Sequence, residues 1–312
     1  MKCVALCGGV GGAKLALGLS HVLSGENLTL IVNTGDDFTH LGLHISPDLD
    51  TVMYTLSGLA NAQQGWGRAG ETWAFMAALR KLGGEDWFQL GDLDLATHVE
   101  RTRRLAAGEP LSHITRDFFA SLGVGARVLP MSDDPVRTII HTPRGELAFQ
   151  HYFVRDKCAP AVTGFSFAGS EQAAPAPGIL QALGDPDLGC VIICPSNPFV
   201  SINPILAVPG IRAALKTVRA PVIAVSPIVG GRAIKGPTAK MMYELGIPQT
   251  AEAVAAHYDG LLDGFILDET DSALAQQLET TGLVCATAQS VMHTEQDRVE
   301  LARNVLDFAA KR

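Results

Sequence analysis

The sequence predicts an α/β fold with a mostly parallel sheet, and three observations support this prediction. Short apolar runs at residues 3–7, 28–32 and 190–194 have no polar face, as expected of strands that are buried on both sides. Each run ends in a loop of glycine or polar residues. Segments such as residues 13–23 show the apolar spacing of helices. Strands that alternate with helices in this way form parallel sheets.

The first strand leads into a glycine-rich turn before a helix. Glycine occupies positions 8, 9, 11 and 12, and Lys14 follows at the predicted helix start. Glycines let the backbone approach a phosphate closely, and N–H groups at a helix N-terminus attract anions. The spacing matches neither a P-loop, which needs Gly-Lys-Ser/Thr, nor the dinucleotide fingerprint, whose third glycine is replaced by lysine. The turn is either a phosphate site or a tight connection without a ligand.

The second strand, residues 28–32, ends in Asn33-Thr34-Gly35-Asp36-Asp37. Doubly wound sheets bind ligands outside the carboxyl ends of their strands, so these residues are candidates for the site. Asp36 and Asp37 are suited to hold Mg²⁺ or ribose hydroxyls. A capped turn without a ligand is the alternative.

A helix start is predicted at Ser46-Pro47-Asp48. Ser46 is the expected N-cap, Pro47 suits the first helical position, and the helix dipole stabilises Asp48. Asp50 lies two residues further along and points in a different direction around the helix. Two carboxylates with Thr51 exceed what capping requires, so we interpret them as a site for a hydroxyl or a metal ion.

Residues 52–125 are predicted to be mostly helical, as an insertion into the sheet. The predicted helices cover residues 51–59, 71–82, 93–107 and 110–122. On the third of them, Asp94, Thr97 and His98 share one side by their i, i+3, i+4 spacing. A capped, solvated helix face is the alternative to ligand binding. We expect the insertion to form a lid or an acceptor-binding subdomain.

Residues 127–157 are predicted to form an antiparallel hairpin. Its strands cover residues 127–130, 136–141 and 146–154, and Thr142-Pro143-Arg144-Gly145 forms the turn before the last of them.

The second half of the chain resumes the α/β alternation. The strand at 190–194 runs into Pro195-Ser196-Asn197-Pro198, whose hydroxyl and amide groups suit a base or a ribose. A strand at 222–225 precedes a loop in which Arg232 and Lys235 stand beside two glycines, a second candidate for anion binding. Further predicted elements are a strand at 265–267 and helices at 238–246 and 295–311.

Four polar loops thus follow strand ends, at residues 8–14, 33–37, 195–198 and 226–236. We expect them along one edge of the sheet. Cations beside carboxylates on that edge are what a phosphoryl-transfer site with Mg²⁺ requires. The cations and the metal balance oxygen charge, while the carboxylates hold the metal or orient a hydroxyl nucleophile.

Composition argues against several classes of protein. The net charge of −8 disfavours binding to nucleic acid or to an anionic membrane surface. The chain lacks an apolar run of about 18 residues and reaches its glycine turn at once, so we expect neither a spanning helix nor a secretory signal. The six cysteines lack zinc spacing and are expected to be buried thiols in a reducing cytoplasm. We expect a single domain over residues 1–312.

Several stretches resemble the 2-phospho-L-lactate transferases of coenzyme F-420 biosynthesis, in order along nearly the whole chain. These stretches are residues 8–14, 33–37, 46–51, 91–98, 152–155, 196–198 and 226–236. The combination of 46–51 with 226–235 is the most specific part of the resemblance. The family typically carries a charged residue after Gly91-Asp92, where this chain has Leu93.

The resemblance implies a Mg²⁺-dependent transferase with a Rossmann-like core, acting as a homodimer. The donor in this family is a guanosine diphosphate whose outer phosphate carries a small carboxylic acid. The acceptor is the deazaflavin Fo, and GMP leaves. The expected nucleotide- and phosphate-binding residues are Gly8, Gly9, Gly11, Gly12, Lys14, Asn33, Thr34, Ser196, Asn197, Pro198, Arg232 and Lys235.

The resemblance also implies roles for the acidic residues. The ribityl hydroxyl of the acceptor is expected at Asp50, which makes Asp50 and Asp48 the candidate catalytic residues. The other expected acceptor-binding residues are Thr51, Asp94, Thr97 and His98. Mg²⁺ is expected among Asp36, Asp37 and Asp48.

Two other functions are alternatives at this point. A nucleotide-sugar-binding regulator of the gluconeogenesis-factor type typically carries a longer Gly/Ser-rich segment after the second strand. Here Asp37 is followed by Phe38-Thr39-His40-Leu41, which favours the transferase. An NAD(P) oxidoreductase is the second alternative, but its dinucleotide fingerprint needs a third glycine that this chain lacks. The donor acid stays open among phospholactate, phosphoenolpyruvate and phosphoglycerate, because a pocket discriminates one methylene by only about 1–3 kcal/mol.

Overall fold

A central seven-stranded sheet organises the part of the chain that the structure, a computed structural model, describes: residues 1–234, 236–258, 260–280 and 282–312. The strands are β1 Lys2–Cys7, β2 Leu28–Val32, β3 Phe38–His40, β4 Leu43–Ile45, β5 Arg127–Pro130, β6 Arg137–Thr142, β7 Gly145–Ala148, β8 Gly164–Ala168, β9 Leu188–Ile193, β10 Val222–Val225, β11 Ile228–Val229, β12 Arg232–Ala233, β13 Gly264–Asp268 and β14 Val284–Ala288. The helices are α1 Gly9–Val22, α2 Pro47–Leu56, α3 Ala74–Lys81, α4 Asp92–Ala106, α5 Leu111–Ser121, α6 Ile179–Leu183, α7 Asn203–Ala207, α8 Ile211–Thr217, α9 Thr238–Glu244, α10 Ala251–His257, α11 Ser272–Glu279 and α12 Glu295–Ala309.

The seven strands pair in parallel in the order β14-β13-β10-β9-β1-β2-β5. β1 therefore lies between β2, which follows it along the chain, and β9, which belongs to the second half. The chain proceeds outward from β1 in one direction and from β9 in the other. Their carboxyl ends form the topological switch point at which such sheets bind ligands. The predicted α/β fold with a mostly parallel sheet is confirmed.

Alternate residues of β1 face two separate apolar cores. Val4 and Leu6 pack into the core on one face of the sheet, with residues of α7, α8 and α10. Cys3, Ala5 and Cys7 pack into the core on the other face, with residues of α1, α2 and α12. Because both faces are covered, this strand has no polar side, which explains its uninterrupted apolar sequence.

The thiols of the two central strands agree with the predicted burial. Cys3 and Cys7 on β1, and Cys190 and Cys194 on or beside β9, are buried and free. The remaining free thiols, Cys158 and Cys285, are half-buried.

No single helix among the described residues is long and apolar enough to cross a membrane. One bent pair, Pro198–Ala207 with Ile211–Thr217, meets the criteria of length and composition only when the two helices are taken together.

The predicted hairpin is correct in its turn and wrong at both ends. β6 and β7 pair in antiparallel fashion across the predicted turn, and β8 joins the other side of β6. β5, which we expected in the hairpin, is instead a parallel edge strand beside β2. The returning strand ends at Ala148, and residues 151–155 form a π-helical turn. Phe149 and Phe153 stack four residues apart, a spacing that a helical turn allows and an extended strand does not.

The helical insertion contains α2 to α5 as predicted, although α3 starts later than expected. Glu71 lies outside α3 because its carboxylate accepts hydrogen bonds from the N–H groups of Leu93 and Asp94, at the start of α4. In return, Asp92 accepts from the N–H groups of Ala74 and Phe75, at the start of α3. The two helices thus cap each other through carboxylates, which suit helix N-termini.

Candidate functional site

A cleft of about 600 Å³ opens at the carboxyl edge of the central sheet. All four of the predicted strand-end loops contribute to its lining, through residues such as Gly9, Asp36, Ser196 and Ser226. The loop after β14 also reaches it, with Ser290, Val291 and Met292. The structure therefore brings the four loops together, as the parallel arrangement of the strands predicts.

The glycine turn is shorter than predicted, because α1 already begins at Gly9. The N–H group of Gly9 donates to Asp48 Oδ1 at 2.6 Å. The N–H group of Gly8 donates to Ser196 Oγ at 3.1 Å, and the same hydroxyl donates back to the Gly8 carbonyl at 2.8 Å. Lys14 lies inside α1 rather than at its start, and its Nζ donates to the Met292 carbonyl at 2.5 Å.

The glycines are needed because the loops lie close to one another. A Cβ atom on Gly8 would collide with Asp48 Oδ2, and one on Gly12 would collide with Ser196 Oγ. A Cβ atom on Gly11 would lie 2.5 Å from the Pro195 carbonyl oxygen. Close packing of β1, β2 and β9 loops thus accounts for glycine at these positions, in addition to any contact with a ligand.

Gly11→Ala is expected to destabilise the protein by about 1–3 kcal/mol, as overpacked substitutions commonly do. The clash is with a backbone carbonyl, so one of the two loops must move. Urea unfolding would measure the loss. Gly125→Ala is the control, since its Cβ would meet nothing closer than Gly25 Cα at 3.7 Å. Equal stability of the two variants would contradict the packing argument.

An amide group separates two buried carboxylates at the centre of the cleft. Asn33 Nδ2 donates to Asp36 Oδ1 at 3.2 Å and to Asp48 Oδ2 at 2.9 Å. Gln150 Nε2 approaches Asp36 Oδ2 at 3.3 Å from the hairpin side. Burial raises the pKa of Asp48 to about 6 against the hydrogen bonds from Asn33 and Gly9. Burial and the charges of Asp48 and Asp37 raise the pKa of Asp36 as well.

Asp37 does not line the cleft beside Asp36 and Asp48, and its role as a metal ligand stays a prediction. Its Oδ2 accepts hydrogen bonds from Ser46 Oγ at 2.8 Å and from His44 Nε2 at 3.0 Å. Ser46 is at the N-cap of α2, as predicted, but its hydroxyl donates to Asp37 and makes no hydrogen bond to the backbone of the helix. Among the described residues, no three His, Cys, Asp or Glu side chains are arranged to hold a metal ion. Of the three expected metal ligands, Asp36 and Asp48 line the cleft.

Asp48→Asn is expected to remove part of the pH dependence of stability in metal-free buffer. The pKa of Asp48 in the folded state, about 6, lies above its ordinary value of 3.8. Its contribution to stability is therefore present below the ordinary value and is lost as the pH rises through the folded-state pKa. Relative to wild type, the variant should gain about 1 kcal/mol between about pH 5 and about pH 7, measured by urea unfolding. Parallel curves would contradict this assignment.

Helices α2 and α4 place Asp50 and Asp94 beside Asp36 and Asp48, and we call the surface of these two helices the acidic wall. Arg101 contacts both carboxylate oxygens of Asp50, with Nη1 3.1 Å from Oδ2. Tyr54 Oη donates to Asp94 Oδ1 at 2.5 Å and lies 2.9 Å from Thr97 Oγ1. The predicted shared side of α4 is thus confirmed, and it faces α2.

Sequence reasoning missed Arg101, Tyr54 and Gln150. Arg101 follows Asp94 by seven residues and His98 by three, so helical spacing could have placed it on the same side of α4. Tyr54 likewise follows Asp50 by four residues. Gln150 offered no such signal, because the hairpin brings it to Asp36 from 114 positions away.

An aromatic region continues from the acidic wall. Trp66, which is 48% exposed, and Phe88 line it, together with Phe149 and Phe153. The last two rings stack with their centroids 5.4 Å apart. These side chains offer apolar faces to a flat conjugated ring, and Asp50 and Asp94 belong to the same cleft lining.

Several predicted residues do not form part of the cleft lining. These residues are Gly12, Asn33, Thr34, Asp37, Thr97, Pro198 and Arg232. Asn33 donates to Asp48, which lines the cleft, and Thr97 accepts from Tyr54, which also lines it. Arg232 is exposed on β12, outside the cleft lining, and its role in phosphate binding stays a prediction. Lys235 lies outside the described residues. The remaining predicted residues line the cleft: Gly8, Gly9, Gly11, Lys14, Asp36, Asp48, Asp50, Thr51, Asp94, His98, Ser196 and Asn197.

Comparison with known proteins identifies relatives of the whole chain. The family model described as 2-phospho-L-lactate transferase CofD matches residues 3–307. A protein of Streptomyces griseus named phosphoenolpyruvate transferase is 43% identical over 99% of this chain and 98% of its own length. One of Streptomyces coelicolor with the same name is 42% identical with the same coverage. One of Mycobacterium sp. strain KMS, also so named, is 42% identical over 88% of this chain and 89% of its own.

Solved structures show a similar fold at low sequence identity. A UPF0052 family protein from Bacillus halodurans superposes with a TM-score of 0.62 and 16% identity over 98% of both chains. A second structure of protein BH3568 from the same organism gives 0.64 and 15%, over 98% of this chain and 99% of that one. At this identity the similarity concerns the fold alone.

Proposed function

The chain belongs to the 2-phospho-L-lactate transferase CofD family, and from this premise we propose that it transfers a phosphoenolpyruvate group to the deazaflavin Fo. Family membership supports a phosphate-transfer role in coenzyme F-420 biosynthesis. The donor in this proposal is a guanosine diphosphate whose outer phosphate carries the enolpyruvate, and GMP leaves. Phosphoenolpyruvate is chosen over phospholactate and phosphoglycerate because relatives at 42–43% identity are named phosphoenolpyruvate transferases.

The observation that carries the proposal is the division of the cleft into two halves around β1. On the side of β9 and β10, the lining consists of Ser196, Asn197, Ser226 and neighbouring residues without acidic groups. On the side of β2, it consists of the acidic wall and the aromatic region. The first half suits a nucleotide and the second suits a hydroxylated flat ring. The glycine turn and Asp48 lie between them, where the phosphates would meet the hydroxyl.

The charge of the cleft supports a role for a divalent cation. Among the described residues that line the cleft, Lys14 is the lysine or arginine. Four lining residues are acidic: Asp36, Asp48, Asp50 and Asp94. A donor with two phosphates and a carboxylate would be repelled unless a cation joined it. Mg²⁺ is commonly held by one or two carboxylates together with substrate phosphates. Asp36 and Asp48 fit that pattern, and the bound ion would neutralise charge on the phosphate oxygens.

The residues of the chain position the two reactants. In the proposed complex the donor phosphates lie beside Ser196, Asn197 and the start of α1, because a helix N-terminus attracts anions. Trp66 and Phe153 hold the ring of the acceptor, so that a ribityl hydroxyl lies beside Asp50. That hydroxyl oxygen attacks the outer phosphorus, and the bond from this phosphorus to the oxygen of GMP breaks. Such in-line positioning accounts for most of the catalysis in phosphoryl transfer.

The transfer itself is tested with purified protein, Fo and Mg²⁺, with each of the three guanylylated acids added separately. Mass spectrometry should detect the phosphodiester and GMP with the phosphoenolpyruvate donor. Product from another acid would change the substrate assignment, and no product from any of them would contradict the transferase.

The regulator alternative predicts nucleotide binding without deazaflavin binding, which a titration of deazaflavin fluorescence distinguishes. The homodimer and the cytoplasmic location stay predictions.

Trp66→Ala is expected to weaken Fo binding about 10-fold, the loss of about 1.4 kcal/mol that stacking on an aromatic ring can provide. The KM for Fo should rise while the KM for the donor stays near its wild-type value. Tyr243→Ala is the control, since this side chain is 74% exposed and does not line the cleft. An unchanged KM for Fo in Trp66→Ala would place the acceptor ring elsewhere.

A further inference from the structure

A buried carboxylate at the end of β13 holds one of the loops that line the cleft. Asp268 is 3% exposed. Its Oδ2 accepts two hydrogen bonds from Ser290, one from the N–H group and one from the hydroxyl, each at 2.9 Å. Its Oδ1 accepts from the N–H group of Thr270 at 3.1 Å and from the hydroxyl of Thr270 at 2.9 Å. Since Ser290 lines the cleft and Asp268 does not, the carboxylate fixes the lining from behind.

The hydrogen bonds favour the ionised form of Asp268. Burial alone would raise the pKa of this carboxyl, yet its pKa is lowered because the N–H and hydroxyl groups of Thr270 and Ser290 stabilise the carboxylate. Without the carboxylate, the polar groups of the buried Ser290 would lose their acceptor. Unpaired buried polar groups are unfavourable, so the loop would have to move to find another partner.

The loop held by Asp268 also contacts the lysine of α1. Two residues after Ser290, the carbonyl oxygen of Met292 accepts a hydrogen bond from Lys14 Nζ at 2.5 Å. Ser290, Val291, Met292 and Lys14 all line the cleft. A shift of this loop would therefore change the position of a cation that attracts the phosphates of the donor.

A second carboxylate of the same segment holds the neighbouring loop. Asp271 is 8% exposed, and its Oδ2 accepts a hydrogen bond from the N–H group of Gly230 at 2.9 Å. Gly230 lies in the connection from β11 to β12. Val229 before it and Ile234 after it line the cleft. The end of β13 and the turn that follows it thus hold two lining loops, at residues 226–234 and 289–292.

We propose that Asp268 and Asp271 are positioning residues for the guanosine diphosphate donor, because they fix these two loops in the conformation that binds it. The inference rests on the donor proposed above. The loops follow β10 and β14, which lie on the β9 side of β1, whereas the acceptor is proposed to bind on the β2 side. Loss of either carboxylate should therefore weaken donor binding and leave acceptor binding unchanged. Displacements of about 1 Å in supporting groups are enough for such effects.

Binding of GDP in the presence of Mg²⁺, measured by isothermal titration calorimetry, tests this role. Asp268→Ala should weaken GDP binding by about 10-fold, because the loop loses two hydrogen bonds to a charged group. A fluorescence titration should give the wild-type Kd for Fo. In steady-state kinetics the KM for the donor should rise, while the KM for Fo stays near its wild-type value.

Asp133→Ala is the matched control. Asp133 accepts hydrogen bonds from the N–H group and the hydroxyl of Ser112 at 2.6 and 2.8 Å, as Asp268 does from Ser290. Neither Asp133 nor Ser112 lines the cleft. This variant should lose stability without a change in GDP binding. Wild-type GDP affinity in Asp268→Ala, or equal weakening of GDP and Fo binding, would overturn the positioning role while the proposed function stands.

A pair of variants at Asp271 decides the matter if Asp268→Ala does not fold. Asp271→Asn keeps an oxygen that can accept from the N–H group of Gly230, whereas Asp271→Ala does not. GDP binding should be near that of the wild type in Asp271→Asn and weaker in Asp271→Ala. Identical GDP affinities in these two variants would overturn the positioning role. A wild type that does not bind GDP would overturn both this inference and the proposed donor.

Discussion

Asp50→Asn is expected to lower kcat for transfer to Fo by about 10²-fold or more, because an amide orients the attacking hydroxyl less well than a carboxylate. Steady-state kinetics with the guanylylated donor and Mg²⁺ would measure the loss. The KM for the donor should change little, since Asp50 lies on the acceptor side of the cleft. Asp50→Asn keeps one oxygen for Arg101, so most of the folded structure should persist.

Asp307→Asn is the matched control for this experiment, because Asp307 is exposed on α12 and does not line the cleft. The folded fraction of both variants is measured by circular dichroism. Near wild-type kinetics in a folded Asp50→Asn protein would remove Asp50 from the mechanism. A loss in kcat that merely tracks a loss of folded protein would assign Asp50 a structural role.

Arg101→Met is expected to lower the free energy of unfolding by about 3–5 kcal/mol, the cost of leaving a buried charge without its partner. Burial already raises the pKa of Asp50, and the Arg101 charge opposes this shift. Without Arg101 the pKa of Asp50 would rise further. The variant should therefore recover stability as the pH falls and lose it again as the pH rises through that pKa. Urea unfolding at several pH values measures both effects.

A double substitution separates the cost of an unpaired charge from the loss of packing. Asp50→Leu with Arg101→Met replaces the pair by apolar side chains, which commonly restores most of the stability. Arg103→Met is the control on the same helix, since Arg103 pairs with Glu100 in an exposed position. Exposed pairs contribute about 0.2–1 kcal/mol. Similar losses for Arg101→Met and Arg103→Met would contradict the importance of the buried pair.

Local patterns predicted the features of the site that depend on chain order. Buried strands with apolar sequences, such as β1 and β9, belong to a parallel sheet, and the loops at their carboxyl ends then share an edge. The same reasoning placed Asp36 near Asp48, because both belong to loops or helices that follow β2. The i, i+4 spacing of Asp94 and His98 predicted that they share one side of α4.

The details that sequence reasoning did not reach depend on side-chain packing and hydrogen bonding. Asp37 follows Asp36 directly, yet it turns toward His44 and Ser46 because their polar groups need a buried acceptor. Residues 151–155 have the composition of a strand, but the stacking of Phe149 on Phe153 favours a helical turn. Such choices depend on packing and on hydrogen bonds that no local pattern reveals.

The most direct test is a crystal structure of the protein with Mg²⁺, GDP and Fo. We expect the phosphates of GDP between the start of α1 and Ser196, with the metal on Asp36 and Asp48. The ring of Fo should lie against Trp66 and Phe153, with a ribityl hydroxyl at Asp50 and on the side of His98. A nucleotide bound away from the ends of β1 and β9, or Fo bound outside the acidic wall, would contradict the division of the cleft between donor and acceptor.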